Sequence, residues 1–408
     1  MMRRVVVTGM GGLCGLGTSW PEIHAGLRAR QNAIRTMREW DRHKDMNTRL
    51  GGPIDFTPPS HWTRKQLRSM GRVSQLAVRA AELAIADAGL TGSPIISSGA
   101  TGVSSGSSTG STADISAFAA MILHADASGL NANSYVRMMP HTTAANVGIF
   151  FGAKGRIIPT SSACTSGSQG VGYAYEAIKF GRQDVMIAGG AEELCPTEAM
   201  AFDTLYATSR RNDEPKTTPR PYDRDRDGLV VGEGGAMLIL EELEHAQRRG
   251  ARIHAELVGF GSNSDGVHVT KPEESTMRVV MELALADAGL SPDAIGYVNG
   301  HGTATEHGDI AETRATSALF GSRMPLSSQK SYLGHTLGAC GALEAWFSIE
   351  MMKAGWFAPT LNLDNIDPRC GELEYITGEG RAIGTDYVMN NNFAFGGVNT
   401  SMVFKRWK

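Results

Sequence analysis

A ten-residue stretch that occurs twice constrains this chain most. Ala81–Leu90 reads Ala-Glu-Leu-Ala-Ile-Ala-Asp-Ala-Gly-Leu and returns as Met281–Leu290 with eight of ten positions identical. Both copies end a helical pattern: Leu76, Ala80, Leu83 and Ala84 share one face of the first, and Gly89 and Gly289 suit the left-handed residue that stops a helix. Two further pairings keep the same order, Thr101–Thr109 with Gly296–Thr305, and Gly234–Leu240 with Gly396–Phe404. Three correspondences in register predict two homologous halves, residues 1–250 and 251–408.

Within each half strands alternate with helices, as where Ile157–Pro159 precedes a helix beginning near Thr165 and Asp184–Ala188 precedes another. That alternation predicts an α/β fold with mainly parallel sheets. Two such halves packed through helices give a layered sandwich with a pseudo-twofold axis and a site where loops of both halves meet. Val5–Val7 followed by Gly9, Gly11 and Gly12 reads as a buried strand entering a glycine turn, and Gly99–Tyr135 as an excursion from the first half.

Composition narrows the function classes. A net charge of -3 gives no overall electrostatic reason to bind nucleic acid or an anionic membrane, and no run of apolar residues is long enough to span one. Five cysteines in 408 residues are too scattered for a disulfide framework or a zinc knuckle, which favours a reducing, cytoplasmic setting.

Ile157–Gly170 reads as a strand, a sharp turn of small residues and a helix, with Cys164 at the helix entrance. Free backbone donors and the positive end of the helix dipole lower a thiol's pKa there and favour the nucleophilic thiolate. Cys14, Cys195 and Cys370 read instead as buried structural residues. His301, between Gly300 and Gly302, and His335, after Gly334, each follow a glycine at a strand-to-loop junction. Together with a helix-start cysteine they form a catalytic constellation.

At this point the residues resemble a known family. Gly155–Gly167 around Cys164 resembles the active-site motif of β-ketoacyl synthases, and Asn299–Thr305, Lys330–His335 and Asn392–Asn399 resemble its other three motifs in the same order. The resemblance spans Arg4 to Lys405 and is nearest the elongating KAS II type. It implies the thiolase-like fold, a five-layered α/β/α/β/α sandwich of two duplicated halves, and a homodimer, with a heterodimer alongside a chain-length factor as the alternative. It implies an acyltransferase that moves an acyl group from carrier-protein phosphopantetheine to Cys164 and condenses it with decarboxylated malonyl-carrier protein. No cofactor of its own is implied, since phosphopantetheine arrives on the acyl carrier protein.

The resemblance also carries roles. His301 and His335 would stabilise the enolate oxygen, the amides of Cys164 and Phe395 the thioester oxygen, and Lys330 would tune the histidines with Glu312. Thr303 and Thr305 would bind the pantetheine arm, and Phe395 would gate the acyl pocket. Asn299, Glu312, Glu344 and Asn390 match a buried cation site of some relatives, but Asn390 stands for the usual serine, so no metal is expected. Thr109 stands where a bulky aliphatic residue usually lines the acyl tunnel; with Met138–Thr143 this resembles ketosynthases of aryl polyene pathways, so the resemblance leaves both fatty acid and aryl polyene biosynthesis open. Arg64, Lys65 and Arg68, continued by Arg72 on one helical stretch, form a basic face for an acidic carrier protein, with Arg211 a second contact.

Other signals are weak. Gly9–Gly15 misses the spacing of a dinucleotide loop. Arg220–Gly228 alternates charge but lacks the last ligand of a calcium loop, so it reads as a charged surface turn. A degradative thiolase would need a second catalytic cysteine in the last glycine loop, and a non-catalytic chain-length factor would lack the nucleophile; this chain has Phe395–Asn399 in the loop and retains Cys164.

Overall fold

In the computed structural model, which describes residues 2–408, the duplication suggested by the repeated decapeptide extends to the five strands of each half and the helices packed on them. The first half contains β1 (Val5–Cys14), α1 (Arg64–Leu67), α2 (Arg72–Asp87), β2 (Thr101–Gly106), α3 (Thr112–His124), α4 (Thr142–Phe151), β3 (Ile157–Thr160), α5 (Ser166–Lys179), β4 (Val185–Glu192), α6 (Pro196–Asp203) and β5 (Gly234–Glu242). The second contains β6 (Ala255–Ser264), α7 (Glu274–Ala288), β7 (Tyr297–Asn299), α8 (Glu306–Phe320), β8 (Pro325–Ser327), α9 (Cys340–Ala354), β9 (Tyr387–Ala394) and β10 (Val398–Arg406). Strand order is β3-β2-β4-β5-β1 in one half and β8-β7-β9-β10-β6 in the other, the same order position for position. A short antiparallel contact of Val5–Val7 with Ala255–Leu257 joins the two.

The sheets are mixed rather than mainly parallel. β2 runs parallel to β3 and β4, whereas β5 runs antiparallel to both β4 and β1. The connection from β4 to β5 returns along the same edge instead of crossing over through a helix, and this reverses the strand direction. α2 and α4 cover the outer face of the first sheet and α7 that of the second, with α8 against α7. Between the sheets lie α5 and α9, each touching strands of both, and the largest apolar cluster, with Val171, Leu238, Phe347 and Phe404 among its members, fills this middle layer. This is the five-layered sandwich of the thiolase-like fold.

The repeated decapeptide has a physical reason. Its alanines lie directly on glycines of the underlying strand: a Cβ on Gly9 would sit 2.3 Å from the Ala84 carbonyl oxygen, and one on Gly259 2.2 Å from that of Ala284. β1 therefore runs straight through Gly9, Gly11 and Gly12 to Cys14 instead of ending at a glycine turn. Only a strand face without side chains lets the helix backbone approach so closely. Gly89 and Gly289 close the two helices at φ of +67° and +66°. The excursion from the first half is shorter than expected, because Thr101–Gly106 belongs to the sheet and only the segment from α3 to α4 stands outside it.

Replacing Gly259 by Ala sets a methyl group against backbone that has no side chain to shorten. The expected result is a loss of about 1–3 kcal/mol, read as a lowered thermal unfolding midpoint, and the same for Gly9→Ala.

Candidate active site

The two central helices begin at equivalent turns, and the site lies where these meet. Ala163 and Leu337 occupy corresponding places before α5 and α9, and both adopt positive φ, +51° and +42°. These strained turns direct the next residue, Cys164 in one half and Gly338 in the other, toward the opposite turn, where both are buried. Glycines allow the turns to touch: a Cβ on Gly167 would lie 2.7 Å from the Gly338 oxygen, and one on Gly190 2.3 Å from the same atom. His335, just upstream of that turn, is pinned to the first half by its N–H to the Val230 oxygen and its carbonyl to the Gly232 N–H, at 2.6 and 2.9 Å.

The outcome is a 2.9 Å contact between His335 Nε2 and Cys164 Sγ. His335 Nδ1 accepts the Leu337 N–H at 3.3 Å, so a neutral ring carries its proton on Nε2, toward the sulfur. His301 stands edge-on to His335 with ring centroids 5.1 Å apart, and its buried Nδ1 has no partner. Donor atoms of Cys164, His301 and His335 all fall within 4.8 Å of one another. A tetrahedral zinc would hold sulfur and nitrogen ligands about 3.5 Å apart, so the shorter Sγ–Nε2 separation fits a hydrogen bond rather than shared metal ligation.

Electrostatics departs from the simple helix-entrance argument. Burial pushes the Cys164 thiol up to about 12, against the opposing pull of Lys330 and of the Phe395 and Cys164 N–H groups that hydrogen-bond the sulfur. Desolvation of the thiolate outweighs the helix dipole because the sulfur is walled in by Ala199, Phe202 and Leu337. Burial, followed by the charge of Lys330, holds both histidines well below their ordinary value, with His335 lowering His301 further. Both imidazoles are therefore neutral at physiological pH.

Lys330 is itself buried and bonded to Glu344; burial pulls its pKa down, and the Glu344 carboxylate more than offsets this. Asn392 donates to the other Glu344 oxygen at 2.7 Å, and Asn299 donates to Asn390 at 2.9 Å. The Asn299 carbonyl oxygen lacks a partner, but Glu344 is already neutralised and the Asn390 and Asn392 amides direct N–H groups inward. These residues do not fit an additional cation. Glu312 stands apart from them and accepts the N–H groups of His301 and Gly302, and burial lifts it to about 7.

A cavity of about 450 Å³ leads from Cys164, His301 and His335 past Thr303, Thr305 and Phe395 toward exposed Tyr206. The Thr303 and Thr305 hydroxyls are 2.9 Å apart on its wall. Phe395 stacks near Phe202, with centroids 5.1 Å apart. Thr109 does not line this cavity; its hydroxyl bonds Glu198 at 2.8 Å, on the helix whose Ala199 and Phe202 pack against Cys164. Glu198 escaped the sequence reading because an isolated glutamate on a short helix carries no pattern.

Other expectations require correction. Arg64, Lys65 and Arg68 are exposed and none lines the cavity, whereas Arg72 begins a separate helix, α2, and is tied to Glu233. Arg211 is half-buried and paired at 3.5 Å with Asp227 on the cavity wall. The Arg220–Gly228 segment is a surface turn only in part: Arg224, Asp225 and Asp227 are exposed, but Arg220, Tyr222 and Asp223 are buried and the Arg226 side chain is 2% exposed, because acidic partners draw those cations inward. Cys14 is buried as expected, but Cys195 and Cys370 are only half-buried.

With this geometry in view, comparison with known proteins is decisive. The family models for the β-ketoacyl synthase N-terminal and C-terminal domains match residues 2–246 and 254–364. The chain belongs to the β-ketoacyl synthase family. It is 36% identical to 3-oxoacyl-[acyl-carrier-protein] synthase 1 of Haemophilus influenzae over the full length of both chains. A crystal structure of a β-ketoacyl synthase from Burkholderia phymatum matches all of both chains with 61% identity and a TM-score of 0.99. The ishigamide ketosynthase/chain length factor also matches over full length, with 30% identity and a TM-score of 0.92.

Because burial raises the Cys164 pKa to about 12, the free enzyme's thiolate fraction should grow about tenfold per pH unit between pH 7 and 10. Iodoacetamide labelling of Cys164, followed by mass spectrometry, should climb over that range without a plateau. Levelling off below pH 9 would show that the N–H donors and Lys330 outweigh burial.

Proposed function

We propose that the protein is a 3-oxoacyl-[acyl-carrier-protein] synthase with Cys164 as nucleophile. The observation that carries this reading is the 2.9 Å Sγ–Nε2 contact beside a second neutral imidazole, at the inner end of a cavity open to the surface. Cys164 attacks the carrier-protein thioester, giving the acyl-enzyme and the carrier thiol, which takes the cysteine's proton. The Cys164 and Phe395 N–H groups, which pull against burial at the sulfur, would receive the thioester oxygen as it gains charge.

Malonyl-carrier protein then loses CO₂, and its α-carbon forms a bond to the acyl carbonyl carbon as the bond to sulfur breaks. The products are CO₂, 3-oxoacyl-carrier protein and the Cys164 thiolate, which takes a proton from solvent water to return to the thiol. Neutral His301 and His335 donate hydrogen bonds to the enolate oxygen in a dry site, where such bonds are strongest. Buried Lys330 adds a fixed positive charge behind both rings without reaching the cavity. Thr303 and Thr305 hold the pantetheine arm.

A thiolase reading is weaker: Cys340 starts α9 behind the nucleophile, with its Sγ donating to the Cys164 carbonyl oxygen at 3.2 Å, and does not line the cavity. A non-catalytic subunit would have no use for so complete a Cys-His-His set.

The partners are an acyl carrier protein, docked by exposed Arg64, Lys65 and Arg68 with Arg211 near the cavity mouth, and a second copy of this chain. Edge strand β3 leaves one side unpaired, and around it Ile122, Leu123, Tyr135, Ile149 and Ile157 are all more than 40% exposed. An apolar patch flanking an open sheet edge is the complement of itself across a twofold axis. Among the described residues no helix is long and apolar enough to cross a membrane, and five free thiols suit a reducing cytoplasm.

The acyl group is polyenoyl, as in aryl polyene synthesis, rather than a saturated fatty chain. What supports this reading is the threonine at 109, bound to Glu198, where relatives carry a bulky aliphatic residue; it stands behind the helix that carries Ala199 and Phe202 and does not itself line the cavity.

Cys164→Ser should abolish acyl loading, read as intact-protein mass after incubation with acyl-carrier protein. His301→Ala and His335→Ala should load but lose about 10²-fold or more in condensation; normal malonyl decarboxylation in both would overturn their assignment. In a primer panel, polyenoyl primers should be extended faster than saturated primers of equal length. Equal rates would remove the polyene reading.

A further inference from the structure

Within the Arg220–Gly228 segment, Arg224, Asp225 and Asp227 face solvent, whereas the Tyr222 and Arg226 side chains turn inward against the loop that carries His301. That loop does not hold its own shape: Gly302 and Ala304 adopt φ of +29° and +66°, and such a conformation costs a non-glycine residue about 1–3 kcal/mol. Its backbone is held from outside. The His301 and Gly302 N–H groups go to Glu312, and those of Thr303 and Ala304 go to Asp309 at 3.0 and 3.2 Å.

Two residues of the charged segment complete this support. Arg226 donates to the Thr305 and Glu306 carbonyls at 3.2 and 3.1 Å, to the Asp223 carbonyl at 2.8 Å and to Asp367 at 2.7 Å, and lies 3.6 Å from Asp309. Its cation thus balances both carboxylates while its planar fork grips the exit of the loop. Fully buried Tyr222 donates its N–H to Asp309 at 2.7 Å and its hydroxyl to Glu312 at 3.5 Å. That hydroxyl also stands 2.2 Å and 2.3 Å from where side chains on Gly300 and Gly302 would begin, which explains the glycine on each side of His301.

We propose that Arg226 and Tyr222 are positioning residues that set the His301 imidazole for the condensation half-reaction. They act through the 300–305 loop. Cys164 and His335 are held by other contacts, the turns before α5 and α9 and the Val230–Gly232 backbone, so acyl loading does not depend on them in the same degree. This inference rests on the synthase reading above.

The test uses the full-length enzyme and the variants R226K and Y222F, with each half-reaction measured separately. Lysine keeps the charge but cannot make the forked contacts, and phenylalanine keeps the ring and loses only the hydroxyl. Because Thr303 and Thr305 of the same loop meet the pantetheine arm in both half-reactions, loading of Cys164 is read by intact mass at saturating acyl-carrier protein, where its rate should stay within about threefold of wild type even if KM rises. Single-turnover condensation by pre-loaded enzyme should fall about 10²-fold in R226K, the scale of a displacement near 1 Å, and up to about tenfold in Y222F. Condensation at the wild-type rate in both variants would overturn the inference. So would loading and condensation falling together with the unfolding midpoint, which marks a general loss of structure. If R226K does not fold, the Y222F split decides alone. Wild-type enzyme that fails to load or condense would count against the synthase reading and not against this one.

Discussion

The close approach of two helix-entry turns is the constraint on which the molecule depends. Gly167, Gly190 and Gly338 bring the starts of α5 and α9 so near that any side chain at these positions would strike backbone. This contact places a nucleophile from one half beside an imidazole from the other. Neither half holds a site alone, because Cys164 belongs to the first, and His301 and His335 to the second. The pseudo-twofold arrangement is thus a means of delivering three groups to one point from two rigid frames.

Burial is the second organising condition, and it acts on every ionisable group near the sulfur. It holds the thiol protonated and the imidazoles neutral, and it makes Lys330 depend on Glu344. A site of this kind has little charge of its own until substrate arrives. On the proposed reading its N–H donors serve oxygens that become negative during reaction, and in a dry site water does not compete for them. The same dryness accounts for the dense network beneath the His301 loop, since Asp309 and Glu312 lie buried only where backbone N–H groups and Arg226 satisfy them.

Glycine serves this design in two distinct ways. In β1 and β6 it clears a strand face so that Ala84 and Ala284 can lie on it, and this accounts for the sequence identity of the two copies. Around His301 it clears room for Tyr222, and after Cys164, at Gly167 and Gly190, for the opposing turn. The first use is architectural and occurs in both halves. The second is found only where the chemistry is, and there the symmetry of the halves is broken by Cys164 facing Gly338.

The sequence by itself pointed to the duplication, the succession of strands and helices, and Cys164, His301 and His335, whereas Lys330 and Phe395 came only with the family resemblance. The former leave local marks: a repeated helix face, a glycine beside a histidine, a run of small residues before a helix. Only the tertiary structure decided that Cys164 and His335, 171 residues apart, meet at 2.9 Å. It alone decided that burial raises the thiol's pKa, that Thr109 is bound to Glu198, and that Arg226 lies inside rather than on the surface. The physical reason is that desolvation and pairing depend on what surrounds a group in space, and an alternating run of charges reads the same whether water or buried carboxylates receive it.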